Sequence, residues 1–451
     1  MNQAITNRDD SLAELDRLAE LTEDVLRRCR ARGASEVDVG VGVDVGLDVN
    51  VRLGEVESIE HTRDRGLSLT VYFGKCKGSA STADLHPDSI EKTIEHACAI
   101  ARFTEEDPCN GLADADLLAH DFPDLDLWHP WDITAEEAAD LAQRCEEAGR
   151  NHDSRISNSE GATVQIGSSL AVGATSNGFF SRERDTRHMI SAALLAEDGS
   201  GMQRDYWYES VRSASDFPDV ESIGRKAAER TVARLGARKL GTTQCPVLFT
   251  PQVARSLIGH YLAAVSGGAL YRRASFLVDH IGKPVFPEFV QIVERPHIRR
   301  GQASASFDAE GVATRDSDLV TDGRVARYLL GSYAARKLGM RSTGNAGGVH
   351  NVIVTHGEED FHGLLKQMGT GLVVTELMGQ GVSLLTGDYS RGASGFWVEN
   401  GEIVHPVEEI TIASNLREMF ANIVAIGSDV DPRSHILTGS ILLDRLTVAG
   451  S

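Results

Sequence analysis

Residues 251–268, PQVARSLIGHYLAAVSGG, contain the histidine that is best placed for metal chemistry. A zincin holds zinc with two histidines on one helical face, and an adjacent glutamate takes the proton from zinc-bound water. No histidine of this chain is followed by glutamate, and His260 is the only residue of a ligand type on the predicted helix 251–266. Apolar residues recur there at helical spacing, so the pattern favours a packing role for His260.

Three further histidines, His350, His356 and His362, are spaced six residues apart. Neither a helix nor a strand places that spacing on one face, although three separate elements could bring the side chains together. A metal site there would make the chain an independent hydrolase. The alternative is ordinary polar surface, with Glu358–Asp360 opening a helix that runs through Met368.

Glycine is concentrated between Gly369 and Gly401, where eight glycines alternate with serines and threonines. Glycine permits close backbone approach, so the stretch can form a groove that accepts an extended peptide by strand addition, or it can serve tight turns. The charges of Asp388 and Arg391 could orient the termini of a bound peptide. Alternatively, these two residues could form a structural ion pair with each other. The predicted peptide-binding residues are Thr375, Glu376, Gly379, Gly381, Ser383, Asp388 and Arg391.

The composition excludes several other functions. The chain has 451 residues, 41% of them hydrophobic and 25% charged, which is typical of a globular protein with two or three domains. A net charge of −21 disfavours binding to nucleic acid or anionic membranes. The first residues lack the basic and apolar pattern of a signal sequence, and no stretch of the sequence approaches the roughly 18 apolar residues of a spanning helix. Six scattered cysteines without a CxxC pair indicate reduced thiols, so we expect a cytoplasmic protein.

Four segments near the N-terminus predict an α/β unit. Ser11 and Glu14 form a possible capping box for a helix over 11–32, and apolar residues alternate from Val37 to Leu53, with a bend or turn expected at Gly42 or Gly46. A second alternation over 67–73 and a helix from Pro87 to about Phe103 follow.

The remaining chain predicts two further units and an overall α+β fold. A proline-interrupted acidic stretch is expected to be a solvated connection, followed by a β-meander flanked by helices and a larger, β-rich C-terminal domain. Thr134 and Glu137 form a second capping box, and Asn177-Gly178 and Asn400-Gly401 predict hairpin turns. The predicted units are an N-terminal α/β domain at 1–104, the acidic connection at 105–132, a middle α+β domain at 133–238 and the C-terminal domain at 239–451.

Four stretches together resemble the PmbA/TldE family. They are Ser58–Leu85, Ser266–Lys283, Tyr333–Val354 and Gly369–Gly401, the last continuing through a distinctive run from Met378 to Leu416. In that family a TldD-type and a TldE-type chain form a cytoplasmic zinc peptidase that encloses short or unfolded peptides. The TldD-type chain carries an HExxxH helix and a later cysteine as zinc ligands.

The resemblance implies that the zinc site is degenerate in this chain. Helix 251–266 matches the zinc helix, with His260 at the first ligand position, Tyr261 in place of the glutamate and Val265 in place of the second histidine. No cysteine follows Cys245, and neither tyrosine nor valine can replace the missing groups at neutral pH.

Two hypotheses follow from the resemblance. In the first, the chain is a non-catalytic subunit without metal or other cofactor, and a TldD-type partner holds the zinc while this chain binds peptide and could also self-associate. In the second, it is a non-proteolytic peptide-binding or regulatory protein.

Overall fold

The computed structural model describes residues 8–450 and confirms the predicted α+β fold. The helices are α1 (Arg8–Ala31), α2 (Pro87–Phe103), α3 (Ala135–Arg150), α4 (Val220–Ala233), α5 (Pro251–Ala264), α6 (Gly267–Tyr271), α7 (Ser332–Lys337), α8 (Phe361–Met368) and α9 (Leu416–Ala421). The strands are β1 (Glu36–Arg52), β2 (Glu55–Phe73), β3 (Cys76–Thr82), β4 (Ile156–Thr175), β5 (Phe180–Asp198), β6 (Gly201–Val211), β7 (Thr243–Phe249), β8 (Ile292–Glu294), β9 (Ser317–Thr321), β10 (Arg324–Val325), β11 (Val352–Val354), β12 (Gly371–Met378), β13 (Asp388–Glu399), β14 (Glu402–Asn415), β15 (Ile423–Ile426), β16 (Ile436–Leu437) and β17 (Ile441–Gly450).

The N-terminal and middle parts of the chain share one antiparallel sheet of order β3-β2-β1-β4-β5-β6. Strand β1 pairs with β2 along its whole length and with β4 from Asp38 to Val51. The expected bend at Gly42 or Gly46 was wrong, because pairing on both edges keeps β1 extended. Gly46 instead makes room for a neighbouring side chain, since a Cβ there would lie 2.6 Å from the Thr62 hydroxyl oxygen.

All the helices of this half cover the same face of the sheet. Odd-numbered positions of β1 are buried there, with Val37 to Val43 under α1 and α2 and Leu47 to Val51 under α3 and α4. The opposite face of β1 presents Asp38, Gly40 and Gly42 to a cavity of about 630 Å³, and residues 307–311 of the C-terminal part form another wall. The period-two pattern of β1 thus separates the core from an open cavity on the opposite face of the sheet.

The two predicted capping boxes have different outcomes. Helix α1 begins at Arg8, so Ser11 lies inside the helix and the predicted box at Ser11 and Glu14 was wrong. Ser11 is buried and accepts a 3.4 Å hydrogen bond from Arg184, which explains a polar residue on the inner face. The box at Thr134 and Glu137 is confirmed, with reciprocal hydrogen bonds of 3.1 and 2.9 Å.

Residues 105–132 pack on the C-terminal part, and the expectation of a solvated connection was wrong. Leu112, Leu118 and Leu125 are buried. Several acidic side chains pair with arginines and a lysine of the C-terminal part, including Asp116 with Arg341 at 2.6 Å and Asp126 with Arg300 at 2.7 Å. The shortage of basic residues in this segment therefore reflects complementarity with another part of the same chain.

The C-terminal part is built around a sheet of order β14-β13-β12-β7-β17-β15, next to a smaller sheet of order β10-β9-β8-β11-β16. Helix α5 packs on one face of β7, against Val247 and Phe249, while α8 packs on the other face, against Leu248. The predicted Asn400-Gly401 hairpin is confirmed, since both residues have positive φ angles of 54° and 78°.

Two further expectations concern the cysteines and the membrane. None of the six cysteines forms a disulfide in the described part of the chain. Among residues 8–450, no helix has the length and apolar character needed to cross a membrane.

Candidate peptide-binding site

His260 lies on the last turns of α5, and its imidazole is in a restrictive environment. The ring meets the Tyr389 ring edge-on at a centroid distance of 6.0 Å, and Nε2 is buried without a hydrogen-bond partner among the described residues. Burial lowers the pKa of His260, and the nearby Arg391 charge lowers it further. The imidazole is therefore neutral at physiological pH.

The other two positions of the expected zinc motif belong to the core. Tyr261 is fully buried, its hydroxyl donates to the Leu319 carbonyl at 3.2 Å, and its ring contacts Phe286 and Phe420. Burial raises the pKa of Tyr261, so the phenol stays protonated. Val265 is also fully buried and caps the C-terminal end of α5.

These residues do not fit a zinc ion. A zinc site needs three or four nitrogen, sulfur or oxygen ligands, and α5 offers one imidazole. Within residues 8–450, no group of three His, Cys, Asp or Glu side chains is arranged to hold a metal.

The three regularly spaced histidines have unrelated surroundings. His350 is buried, and its Nδ1 lies 3.0 Å from a carboxylate oxygen of Glu294, which is only 2% exposed. His356 is exposed and contacts the Gly357 carbonyl, while His362 lies on α8 beside Phe361. Glu294 also receives hydrogen bonds from Asn345, so His350 belongs to a buried polar network.

Of the seven predicted peptide-binding residues, Thr375, Glu376 and Arg391 line one cleft. The other four, Gly379, Gly381, Ser383 and Asp388, are not part of its lining. Asp388 binds the Thr386 hydroxyl. The alternative Asp388–Arg391 pair was wrong, because side chains three positions apart on β13 point to opposite faces, and Arg391 Nε donates to the Gly379 carbonyl at 3.1 Å.

The glycines of the loop at 379–387 hold it close to β13. The Ser390 amide donates to the Gly381 carbonyl at 2.7 Å, and the Ser383 amide donates to the Asp388 carbonyl at 2.9 Å. A Cβ at Gly381 would lie 2.0 Å from the Ser390 carbonyl oxygen. Gly379 has a positive φ of 79°. At Gly379 and Gly381 the structure therefore matches the tight-turn interpretation.

The cleft has a volume of about 270 Å³ and lies between the two halves of the molecule. Its other walls come from β6, α4, the first turns of α5 and the segment before β16. The sequence did not predict these walls. The aromatic run YWYE at 206–209 was the only feature of the sequence that could have indicated a binding surface there. The added residues are Asp205, Tyr206, Trp207, Tyr208, Arg230, Gln252, Val253, Arg255, Ser256, Leu377 and Arg433.

An arginine that follows α4 connects the two sides of the cleft. Arg234 donates to the Glu376 carboxylate at 2.6 Å and to the Ser394 hydroxyl at 3.2 Å. It also lies 3.7 Å from Asp205 on β6. Burial opposes ionisation of Glu376, but the Arg234 hydrogen bond and charge outweigh it and lower the pKa of this carboxyl. Glu376 is therefore ionised and fixed in place.

Comparisons with known proteins identify the family. Models described as PmbA/TldA metallopeptidase domain 1, central domain and C-terminal domain match residues 37–101, 128–235 and 242–450. The chain belongs to the PmbA/TldD family. It is 48% identical to metalloprotease PmbA of Escherichia coli O157:H7, over 93% of this chain and 94% of the relative. A PmbA homologue from Haemophilus influenzae is 45% identical over 93% of each chain.

Solved structures share this fold. A candidate modulator of DNA gyrase from Bacteroides thetaiotaomicron superposes with a TM-score of 0.91 and 25% identity, over 96% of this chain and 99% of the other. TldE from Thermococcus kodakarensis gives a TM-score of 0.82 at 18% identity, over 95% and 100% of the two chains, which is a likeness of fold alone.

Proposed function

We propose that this chain is the TldE-type, non-catalytic subunit of a cytoplasmic zinc peptidase. A TldD-type partner would hold zinc and cleave short or unfolded peptides. This chain would form part of the enclosing wall and hold the peptide in the cleft between β6, α5 and β12.

One observation carries the proposal: the two positions at which α5 would need a base and a second ligand are packed into the core. Tyr261 and Val265 are both fully buried. A residue turned into the core cannot reach a metal at the surface of the helix, and no small rotation of α5 would expose both side chains. Metallopeptidase relatives across nearly the whole chain support hydrolysis by the assembly.

Co-purification and a peptidase assay test the proposal. The chain is expressed with a TldD-type protein from the same organism, and the assembly is isolated for mass and zinc determination. We expect a stable complex that cleaves a peptide left intact by either chain alone. We also expect all the zinc to remain with the partner, because this chain lacks a ligand set.

A variant gives a metal control. His260→Ala should leave the zinc content of the complex unchanged if His260 is not a ligand. Stoichiometric zinc in this chain alone, lost in His260→Ala, would contradict the assignment. If the complex cleaves no peptide beyond those cleaved by the partner alone, a non-proteolytic peptide-binding role replaces the subunit hypothesis.

A further inference from the structure

Two arginines of the cleft have no carboxylate partner. Arg255 on α5 and Arg391 on β13 both line it, and neither forms an ion pair in the part of the chain that the structure describes. Arg255 donates to the Tyr208 hydroxyl at 3.2 Å, and Arg391 donates through Nε to a backbone carbonyl. Each guanidinium has five N–H donors, so both retain capacity for an anion.

The acidic groups around the cleft are already engaged by other arginines. Asp205 is 3.3 Å from Arg230, and Glu376 is bound by Arg234. Asp431 lies behind the cleft and forms a two-pronged pair with Arg433, at 2.8 and 2.9 Å. The Arg255 charge also reaches Asp431 and helps to lower the pKa of its carboxyl, although burial is the largest influence and opposes the lowering. The lining contains four arginines and two acidic residues, which is an unusual excess in a protein of net charge −21.

The backbone beside these arginines is suited to an extended peptide. Strand β7 runs parallel to β12 only as far as Phe249, which lies opposite Val374. Beyond it, Glu376 and Leu377 line the cleft and pair with β13 on their other edge, while Thr375 lines the cleft at the bulge that precedes them. A strand edge of this kind can accept backbone hydrogen bonds from a peptide. Tyr206, Trp207 and Tyr208 supply aromatic surface on the facing wall.

We propose that this cleft binds a carboxylate of the peptide, with Arg255 and Arg391 as its donors. The inference rests on the proposed function, because it gives the held peptide a direction and an anchored end. Planar guanidinium groups match a planar carboxylate. The open strand edge and the aromatic wall favour a peptide over a free inorganic anion.

Peptide binding by the full chain tests the inference. The probe is dansyl-Ala-Ala-Val-Ala-Ala, compared as the free acid and as the C-terminal amide by fluorescence anisotropy. Hydrogen bonds to charged groups are worth roughly 1.5–3 kcal/mol, so amidation should weaken binding by at least about tenfold. A third probe, amidated but with glutamate at the last position, distinguishes a terminal carboxylate from a side-chain carboxylate.

Variants locate the effect. Arg255→Gln and Arg391→Gln should each reduce the preference for the carboxylate to less than about threefold. Arg225→Gln is the matched control, since Arg225 lies on α4 and pairs with Asp219 at 3.0 Å, outside the cleft lining. It should retain the wild-type preference.

Equal binding of the acid and both amides, or no measurable binding of the acid, would overturn the inference without requiring any variant. If the glutamate amide binds as tightly as the free acid, the inference is supported, and a side-chain carboxylate can take the place of the terminal one. If partner-dependent cleavage persists without this preference, only this inference fails. If the preference is present but the chain adds nothing to the cleavage by its partner, the proposed function fails instead.

Discussion

Replacing Tyr261 with glutamate restores the residue that a zinc helix would carry, but we expect it to disrupt the C-terminal core. Tyr261 is fully buried between Phe286 and Phe420. Removing a buried aromatic side chain costs about 3–5 kcal/mol. A glutamate there would also have to be protonated or left unpaired, which adds about 1–3 kcal/mol. Together these costs reach about 4–8 kcal/mol, and because glutamate fills part of the space, we expect Tyr261→Glu to lose about 4–6 kcal/mol of stability.

Tyr261→Phe is the matched control, because it removes only the hydroxyl. The Leu319 carbonyl keeps a second donor, the Ala326 amide at 2.9 Å, so the substitution leaves no acceptor unpaired. We expect a cost of about 0.5–1 kcal/mol.

Urea unfolding of the isolated chain, followed by the fluorescence of Trp397 in variants that lack the other three tryptophans, measures the difference. The Tyr261→Glu midpoint should fall far below that of Tyr261→Phe, and Tyr261→Glu/Val265→His should bind no stoichiometric zinc. Similar midpoints for the two single variants would show that α5 can turn position 261 toward solvent. That result would refute the reasoning that excludes a metal site.

Three further predictions concern other parts of the chain. Gly395→Ala should destabilise the chain by about 2–3 kcal/mol in urea unfolding, because the new Cβ would lie 1.8 Å from the Val373 carbonyl oxygen. Gly392→Ala is the control and should be tolerated, because its nearest contact would be at 3.4 Å. Equal urea midpoints for the two variants would contradict the packing argument. Arg234→Met removes the hydrogen bonds to Glu376 and Ser394, so it should weaken the contact between the two halves by about 1.5 kcal/mol and speed limited proteolysis near residues 236–242. An unchanged rate of proteolysis would show that these hydrogen bonds do not stabilise the contact. Burial opposes ionisation of Glu294, but hydrogen bonds from His350 and Asn345 outweigh it and lower the pKa of this carboxyl. The ionised carboxylate therefore stabilises the fold at neutral pH, and this stabilisation is lost as the pH falls through the lowered pKa. Glu294→Gln should therefore be less stable than wild type at about pH 7, with the difference narrowing toward about pH 3; a difference that does not change with pH would contradict this sign.

Features that depend on local chemistry could be predicted from the sequence. Pro87 marked the start of α2, Thr134 and Glu137 marked the start of α3, and Asn400-Gly401 marked the β13–β14 hairpin. In each case the stabilising groups lie within a few residues of one another, so one window of sequence contains the whole interaction.

Features that depend on distant pairing could not be predicted in this way. The strand-like alternation of Val37–Val51 was visible, but nothing in it identified β4 as the partner on its second edge. The cleft was only partly predicted for the same reason. Thr375, Glu376 and Arg391 lay in a conspicuous glycine-rich stretch, whereas the residues of β6 and α5 come from other parts of the chain.

The shared N-terminal sheet also determines the order in which the chain can fold. Strand β1 is complete only when β4 is available, more than a hundred residues later in the chain. During synthesis, one edge of this long valine-rich strand stays unpaired until residues 156–175 have left the ribosome, and an open edge of that kind favours aggregation. A fragment ending near residue 104 should therefore associate with other chains instead of remaining monomeric, and efficient production of the protein depends on keeping the first two units together.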